Sequence, residues 1–471
     1  KIFKSDRVIF WFFLQDLTCM LNKSFSINTS GKIKPYSKTI SVDSDKSISI
    51  RSFLIGAISH NITEIKNVLE SEDVFSCINC LKKLGVKIKK VKSKHYLIYG
   101  KGLGAFYAKK NTVLDCGNSG TTARLLVGLL STNPEIQVKI KGDNSLNKRN
   151  MSKLIDLMNK FGTTFLPKNK STFPLTLISS EIPIGIEYKA GVSAQLKSAV
   201  MFAGLNANGV TNVIEEKESR NHTEKMLLRS PKILEIKKNK KKQNHIKIYG
   251  KGYLDSLNIN VAGDPSSAAF YTALTLLTPK ANLKIKHVGL NPRRIGFYKL
   301  LKKYGAKIKF KNVKKINNEL VGDIYVASSK LKPIKASSVY YVSTTDEYPI
   351  LFVIAALTKG TSIFKGIKDL ANKESNRIEE MKKILIQVGV KCRSSKNEMK
   401  ILNTSKIKKS NIEIKVPGLG DHRICMSAVI LSLVTGIKAE IKNFETVETS
   451  SPSFLKIIKL LGGEIEIKKK L

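Results

Sequence analysis

Arginine is scarce in this chain: only eleven of its 82 basic residues are arginine, and lysine supplies nearly all the remaining positive charge. Scarcity makes the survivors informative. A planar, two-pronged guanidinium fits carboxylate and phosphate in a way an ammonium cannot copy. Cysteine is sparse too, and six in 471 residues exclude a disulfide framework. Cys77-Ile-Asn-Cys80 has the spacing of a zinc or redox half-site, yet no second pair or nearby histidine completes it. With Val74, Leu81 and Leu84 these cysteines read as small hydrophobes on the buried stripe of a helix. Long apolar runs are missing as well. Val8-Ile-Phe-Trp-Phe-Phe-Leu14 is too short to cross a bilayer, and no small-residue cleavage site follows it. Position 1 is Lys and Met20 precedes a sensible start, so residues 1–20 read as a doubtful leader. No membrane partner is expected, and a cytoplasmic location is.

Acidic residues are few, 37 against 82 basic, and the formal charge is +45. Such a balance ordinarily raises nucleic acid as a partner. Here Lys, Ile and Asn are inflated together, as codon drift toward A and T produces, and the lysines are spread over the chain. No nucleic-acid partner is expected. The densest run, Lys237 to Lys242, reads as a solvated loop or hairpin tip.

What is present is a set of arginines among small, polar and acidic residues. Lys46-Ser-Ile-Ser-Ile-Arg51, Gly117-Asn-Ser-Gly-Thr-Thr-Ala-Arg124, Lys373-Glu-Ser-Asn-Arg377 and Asp421-His-Arg423 all have the look of site loops. They point to a small, multiply anionic ligand. A second pattern is a helix ending in an apolar residue and Gly, followed by a short strand. It recurs at Leu81–Ile88, Leu157–Gly162, Leu300–Ile308, Ile384–Val390 and Ile458–Ile465, with a degenerate copy near Met226–Pro231. The glycine suits a left-handed helix cap. A spacing of ~70–85 residues reads as six copies of one α/β unit. His95-Tyr-Leu-Ile-Tyr-Gly-Lys-Gly and His245-Ile-Lys-Ile-Tyr-Gly-Lys-Gly repeat one strand and turn two units apart.

With these motifs in order, and with Gly142–Arg149, Ser193-Ala-Gln-Leu-Lys-Ser198, Ser219–Glu224, Gly263-Asp-Pro-Ser-Ser267 and Asp346-Glu-Tyr-Pro349 between them, the chain resembles the 5-enolpyruvylshikimate-3-phosphate synthase family. The likeness runs from about Lys34 to the C-terminus, and the Ser-Ala-Gln and Ser-Arg-Asn-His-Thr-Glu segments resemble its class II subgroup. The resemblance implies an α/β fold (α+β by some schemes) of two similar domains, each of three βαβαββ units under pseudo-threefold symmetry. One domain would span 46–261 and the other 21–45 with 262–471, with a double hinge near 45 and 262. It also implies a reaction: the enolpyruvyl group of phosphoenolpyruvate passes to the 5-hydroxyl of shikimate 3-phosphate by addition and elimination, releasing phosphate. That reaction uses no cofactor or metal, and a monomer is expected.

Carried over residue by residue, the resemblance assigns Asp346, Glu374 and Lys46 to catalysis. Glu374 would protonate the methylene carbon and take the proton back, and Asp346 would hold and deprotonate the 5-hydroxyl. Lys46, Gly120, Arg149, Gln195, Arg377 and Arg423 would bind phosphoenolpyruvate. Lys46, Ser47, Arg51, Ser193, Ala194, Gln195, Arg220, Asp346 and Lys373 would bind shikimate 3-phosphate. Ser47 and Ser193 also read as helix N-caps, and Arg124 as support for an anion nest. At Gly120, glycine would leave room for the ligand where alanine crowds it, and sensitivity to glyphosate, a phosphoenolpyruvate mimic, is expected. Flanking cations should lower a carboxylate pKa while desolvation raises it, and the sequence leaves open which wins.

There are departures from the family pattern. Asp43-Ser44 stands where Pro-Gly is usual, Asn150 replaces a Pro, Asn221 and Asn376 replace aspartates, and Ser451 replaces a Phe. These suggest loosened positioning. Competing readings are a sister enolpyruvyl transferase acting on UDP-N-acetylglucosamine, a nucleic-acid-binding or RNA-cyclase-like relative, and a drifted inactive homologue. Lys46-Ser47 with Arg51 argues against the first, and two carboxylates within phosphate motifs argue against the second.

Overall fold

The helix–glycine–strand unit takes shape as its chemistry requires. In the computed structural model, which describes residues 24–240, 243–404 and 412–469, Gly85, Gly162, Gly305, Gly389 and Gly462 each follow a helix with φ between 80° and 96°. Side chains with a Cβ avoid that region, so glycine is the residue that stops the helix and turns the chain into a strand. The copy near Met226 has no such glycine, and its helix, His222–Leu227, spans only six residues.

Among the described residues six four-stranded sheets result, all with one pattern: a parallel pair followed by two antiparallel pairings. In the second, Val113–Asp115 runs parallel to Gln137–Lys141, which pairs antiparallel with Leu175–Ile178, itself antiparallel to Thr164–Leu166. Three sheets are completed by strands distant in sequence. Asn258–Asn260 joins Ile62–Lys66, Ser37–Ser41 joins Asn282–Gly289, and Phe25–Ser30 lies between Lys438–Ile441 and Glu464–Lys469.

Apolar side chains gather in two separate cores. One runs from Ile48 to Val261, and the other joins Ile27, Ile33, Tyr36 and Ile40 to residues from Ala268 to Leu461. The two bodies built on them are called first and second below. Each holds three helices buried almost all round: Lys46–Ile58, Gly120–Ser131 and Ala194–Asn206 in the first, and Pro265–Leu277, Tyr348–Ala356 and His422–Thr435 in the second. A helix apolar on every face belongs inside. Gly128 lets two of them touch, since a Cβ there would collide with the Ala199 carbonyl. The echoed Tyr-Gly-Lys-Gly turns have the same explanation. A Cβ at Gly100 or Gly250 would strike the carbonyl oxygen of Ser59 or Ala207, the C-caps of the helices that each turn crosses.

The chain passes between the bodies twice, side by side. Asp45 N donates to Ala262 O at 2.8 Å and Asp264 N to Asp43 O at 2.8 Å. One hairpin departs from the repeat. Lys307–Ile316 and Glu319–Ala327 have ten and nine residues, against three to six in the hairpins of the other units. Its tip reaches the first body, where Glu319 accepts from His222 Nδ1 at 2.7 Å and Lys225 Nζ at 3.0 Å.

Cys77, Cys80 and Cys116 are buried and unbridged. Lys237 and Lys238 end the strand Leu234–Lys238 at a hairpin, and 241–242 lie outside the described residues, as do the leader, Arg7 and Cys19. Among the described residues no helix is long and apolar enough to cross a membrane. Ser47 is not a helix cap: Asp45 takes that place, accepting from Ile48 N at 2.8 Å, and Ser47 is the second helical residue.

Candidate active site

All six buried helices begin at one cleft of about 2290 Å³ between the bodies. Lys46, Thr121 and Ala194 line it from the first body and Asp264, Asp346 and His422 from the second, each at or just before a helix start. Helix N-termini present unpaired N–H groups and the positive end of the dipole, so the repeat itself concentrates anion-attracting ends in one place.

The first body's wall is cationic. Lys46 Nζ is 2.9 Å from Asp73. Arg51 is buried and internally bonded, donating to Thr223 Oγ1 at 2.8 Å, Ser198 Oγ at 3.2 Å and Ser47 O at 3.0 Å. Arg124 Nη1 donates to Gln195 Oε1 at 2.9 Å, and Gln195 Nε2 donates to Thr121 Oγ1 at 3.0 Å. Arg149 Nη2 donates to Asn118 Oδ1 at 2.7 Å. Ser193 caps its helix through Leu196 N at 3.3 Å, and Ser193 and Ala194 both face the cleft. Gly120 does not line it. A Cβ there would come within 2.7 Å of Arg124 Nη1 and 2.9 Å of Arg149 Nη1, so glycine leaves room for two guanidiniums rather than directly for a ligand.

The second body brings the acids. Arg377 Nη2 donates to Glu374 Oε2 at 2.6 Å, and its Nη1 lies 3.7 Å from Asp346 Oδ1. Ion pairs also cross the cleft: Arg220 meets Asp346 at 2.7 Å, and Arg149 approaches Glu374 at 3.7 Å. The Arg377 fork, expected from the sequence to face a ligand, is largely committed within the protein. Nε and Nη2 donate to Asp421 at 2.9 and 3.3 Å, leaving only Nη1 without a hydrogen-bond partner. Glu374 pairs with Arg377 three residues on, but in the cleft, ahead of the helix Arg377–Gln387 rather than on its surface. Arg423 is buried with Nε and Nη1 unpartnered, its guanidinium 5.7 Å from the Phe270 ring. Lys373 lines the cleft beside Glu374.

Cations decide the charge of the acids. Burial pushes Asp346 upward, but Arg220, Arg423, Arg377 and Arg294 outweigh it and hold the carboxyl well below its ordinary range. Burial likewise raises Glu374, and Arg377, Arg149, His422 and Lys46 reverse it. Both are carboxylates at neutral pH. Burial, then Arg423 and Lys46, force the His422 imidazolium well below its usual range, so His422 is neutral.

Three residues that order this site were given no role by the sequence reading. Asp421 fixes Arg377 and accepts from Arg423 N at 3.0 Å. Asp73 holds Lys46. Arg294, 2% exposed, joins Asp45 and Asp264; the signal for it was its place among the scarce arginines. The departures are accommodated. Asn376 caps the helix Arg377–Gln387 through Glu379 N at 3.3 Å, Asn150 accepts from Ser152 N at 2.7 Å, Asn221 accepts from Asn291 at 2.9 Å and Ser451 shares a hydrogen bond with Ser267 at 2.6 Å.

Comparison with known proteins fits this arrangement. A family model described as EPSP synthase (3-phosphoshikimate 1-carboxyvinyltransferase) matches residues 31–458. The 3-phosphoshikimate 1-carboxyvinyltransferase of Petrotoga mobilis is 38% identical over 421 residues, 89% of this chain and 95% of that one. The solved structure of EPSP synthase from Acinetobacter baumannii superposes with a TM-score of 0.80 at 33% identity, covering 95% of this chain and 100% of that one. The enolpyruvyl transferase NikO from Streptomyces tendae shares the fold, with a TM-score of 0.73 at 11% identity over 96% of this chain and all of that one. The chain belongs to the EPSP synthase family, the 3-phosphoshikimate 1-carboxyvinyltransferases.

Proposed function

We propose that the two walls of the cleft divide the family's reaction between them. The chain is an enolpyruvyl transferase of the shikimate pathway: it moves the enolpyruvyl group of phosphoenolpyruvate to the 5-hydroxyl of shikimate 3-phosphate and releases phosphate. The observation that carries the division of labour is that Asp346 and Glu374 meet at one guanidinium, Arg377, facing a wall of cations.

Arg149, Arg423, Lys46, Gln195 and the free Nη1 of Arg377 hold phosphoenolpyruvate, with Gly120 keeping Arg149 and Arg124 in reach. Ser47, Arg51, Ser193, Ala194, Arg220 and Lys373 hold shikimate 3-phosphate, sharing Lys46, Gln195 and Asp346 with the reaction centre. Asp346 accepts the 5-hydroxyl proton as that oxygen bonds to C2 of phosphoenolpyruvate. Glu374 delivers a proton to C3, giving a methyl-bearing tetrahedral intermediate. Elimination reverses the second transfer: Glu374 takes a proton from C3, the C2–O bond to phosphate breaks, and phosphate leaves with the proton that Asp346 had accepted. Glu374 is ionised without ligands, so it must gain its proton as the substrates bind. Two phosphoryl groups and a carboxylate offset the cations that depress it, and its pKa rises. The two cores joined by paired crossings support a division into domains at 45 and 262 that close on the substrates.

We further propose that the chain acts as a monomer on small molecules, without nucleic acid. Cys80 and Cys116, both buried and unbridged, suit a reducing compartment such as the cytoplasm. The test is phosphate release by the purified chain. The proposal expects release only when both substrates are present, and release from phosphoenolpyruvate alone would contradict it.

A further inference from the structure

One guanidinium grips the protein just beyond both crossings between the bodies. Arg294 lies in the second body, between the strand Asn282–Gly289 and the helix Gly296–Lys303. Its Nη1 is 3.3 Å from Asp45 Oδ2, and its Nη2 is 2.9 Å from Asp264 Oδ1 and 3.0 Å from Ser266 Oγ. Asp45 caps the first-body helix that opens with Lys46, and Asp264 caps the second-body helix Pro265–Leu277 through Ser266 N at 2.7 Å. Ser266 Oγ in turn donates to Glu347, the neighbour of Asp346. Lys46 N also reaches Asp264 Oδ2 at 3.4 Å. From Arg294, then, one route leads through Asp45 to Lys46 and another through Ser266 and Glu347 to Asp346. A cation that only neutralised Asp45 and Asp264 would not need two prongs. The fork sets the angle between them.

The same loop makes further contacts with the first body. Asn291 donates to Asn221 Oδ1 at 2.9 Å, and Arg293 donates to Ser219 O at 3.0 Å and lies 3.2 Å from Glu218. Both contacts flank Arg220, which pairs with Asp346 across the cleft.

We infer that Arg294 is a positioning residue for the transfer reaction: by tying the caps beyond both crossings it fixes Lys46 against Asp346 in the closed molecule, without itself touching the reacting atoms. The inference rests on the enolpyruvyl-transfer reading. A charge-only role predicts that lysine serves as well as arginine, and a purely structural role that any loss of rate follows loss of the fold. Positioning by the fork predicts that it does not.

The experiment compares Arg294→Lys with the parent full-length chain, following phosphate release, both KM values, the thermal midpoint and the radius of gyration in solution with and without shikimate 3-phosphate plus phosphoenolpyruvate. For a fold that survives, kcat should fall about tenfold to a hundredfold, with both KM values within about threefold. The substrate-induced contraction should be smaller than the parent's. A kcat within about twofold of the parent, or a loss matched by the fraction unfolded at the assay temperature, overturns the inference. If Arg294→Lys does not fold, Ser266→Ala decides, since it breaks the link to Glu347 and keeps the charges. A kcat loss of about threefold or more at an unchanged thermal midpoint supports positioning, and parental kcat overturns it. A parent that releases no phosphate would instead sink the transferase reading.

Discussion

The two bodies share one repeat and face one cleft, yet they bring opposite chemistry to it. The first contributes Lys46, Arg51, Arg124, Arg149 and Arg220, with Ser193 and Gln195 between them, while the second contributes Asp346 and Glu374. Arg377 and Arg423 accompany those acids, but Arg377 is occupied by Asp421 and Glu374. The backbone units are alike, so the difference lies in what each helix start carries. The first-body helices open on Lys46, Gly120 and Ala194 behind Asp45, Ser119 and Ser193, whereas the second-body helices open on Pro265, Tyr348 and His422 behind Asp264, Asp346-Glu347 and Asp421. In the proposed reaction both walls hold anions, through Arg149 on one side and Lys373 and Arg423 on the other, while the handling of protons belongs to the second alone.

Substitutions on the two sides should fail in different ways. Glu374→Gln keeps the shape and removes the proton carrier, so kcat should drop about a thousandfold with both KM values little changed, as steady-state phosphate release will report. Arg149→Lys on the opposite wall should instead raise KM for phosphoenolpyruvate by about ten- to a hundredfold, with a smaller change in kcat, because a forked charged contact becomes a point charge. If both variants lose kcat alike, the division between the walls is wrong. Gly120→Ala should raise that same KM by about tenfold and weaken glyphosate inhibition at least as much, because its Cβ displaces the Arg124 and Arg149 guanidiniums together. Inhibition as strong as the parent's would count against it.

The smallest effect concerns the rim, where first-body Glu72 faces second-body Glu445 and Glu448. Burial, then Glu448, Asp73, Glu445 and Asp143, push Glu72 up to about 7, although it remains open to solvent. A raised carboxyl pKa means that the folded protein holds this proton more tightly than the unfolded chain. Its contribution is therefore intact below the ordinary carboxylate range and is lost as pH climbs through 7. Glu72→Gln should match the parent's thermal midpoint near pH 4 and exceed it modestly at pH 8. An equal gap at both pH values would remove Glu72 from the account.

Much of this was legible in the sequence where one residue type has one physical use. Gly85, Gly162, Gly305, Gly389 and Gly462 marked the repeat because no other residue takes a left-handed cap so readily. The arginine loops stood out because lysine had replaced arginine nearly everywhere else, and Arg51, Arg124, Arg149, Arg220, Arg377 and Arg423 all line the cleft. The pairings inside it were not legible. Nothing local says that Arg377 spends its fork on Asp421, forty-four residues away, or that Gly120 makes room for arginines. Those contacts arise when distant loops fold against one another. Ser47 and Asp45 show the limit within a single motif: either could cap a helix, and only the backbone geometry shows that Asp45 does. Whether desolvation or cations win at Asp346 and Glu374 likewise depends on distances across the cleft.

The central claim is that Glu374, on the second body's wall, carries a proton to and from the methylene carbon of a substrate held between the two walls. Turnover in deuterium oxide, with mass spectrometry of the enolpyruvyl product, tests it directly. The account predicts deuterium in the product's methylene group only when both substrates are present, and none with Glu374→Gln. Product that forms at the parental rate without deuterium, or deuterium that enters as readily with Glu374→Gln, would contradict it.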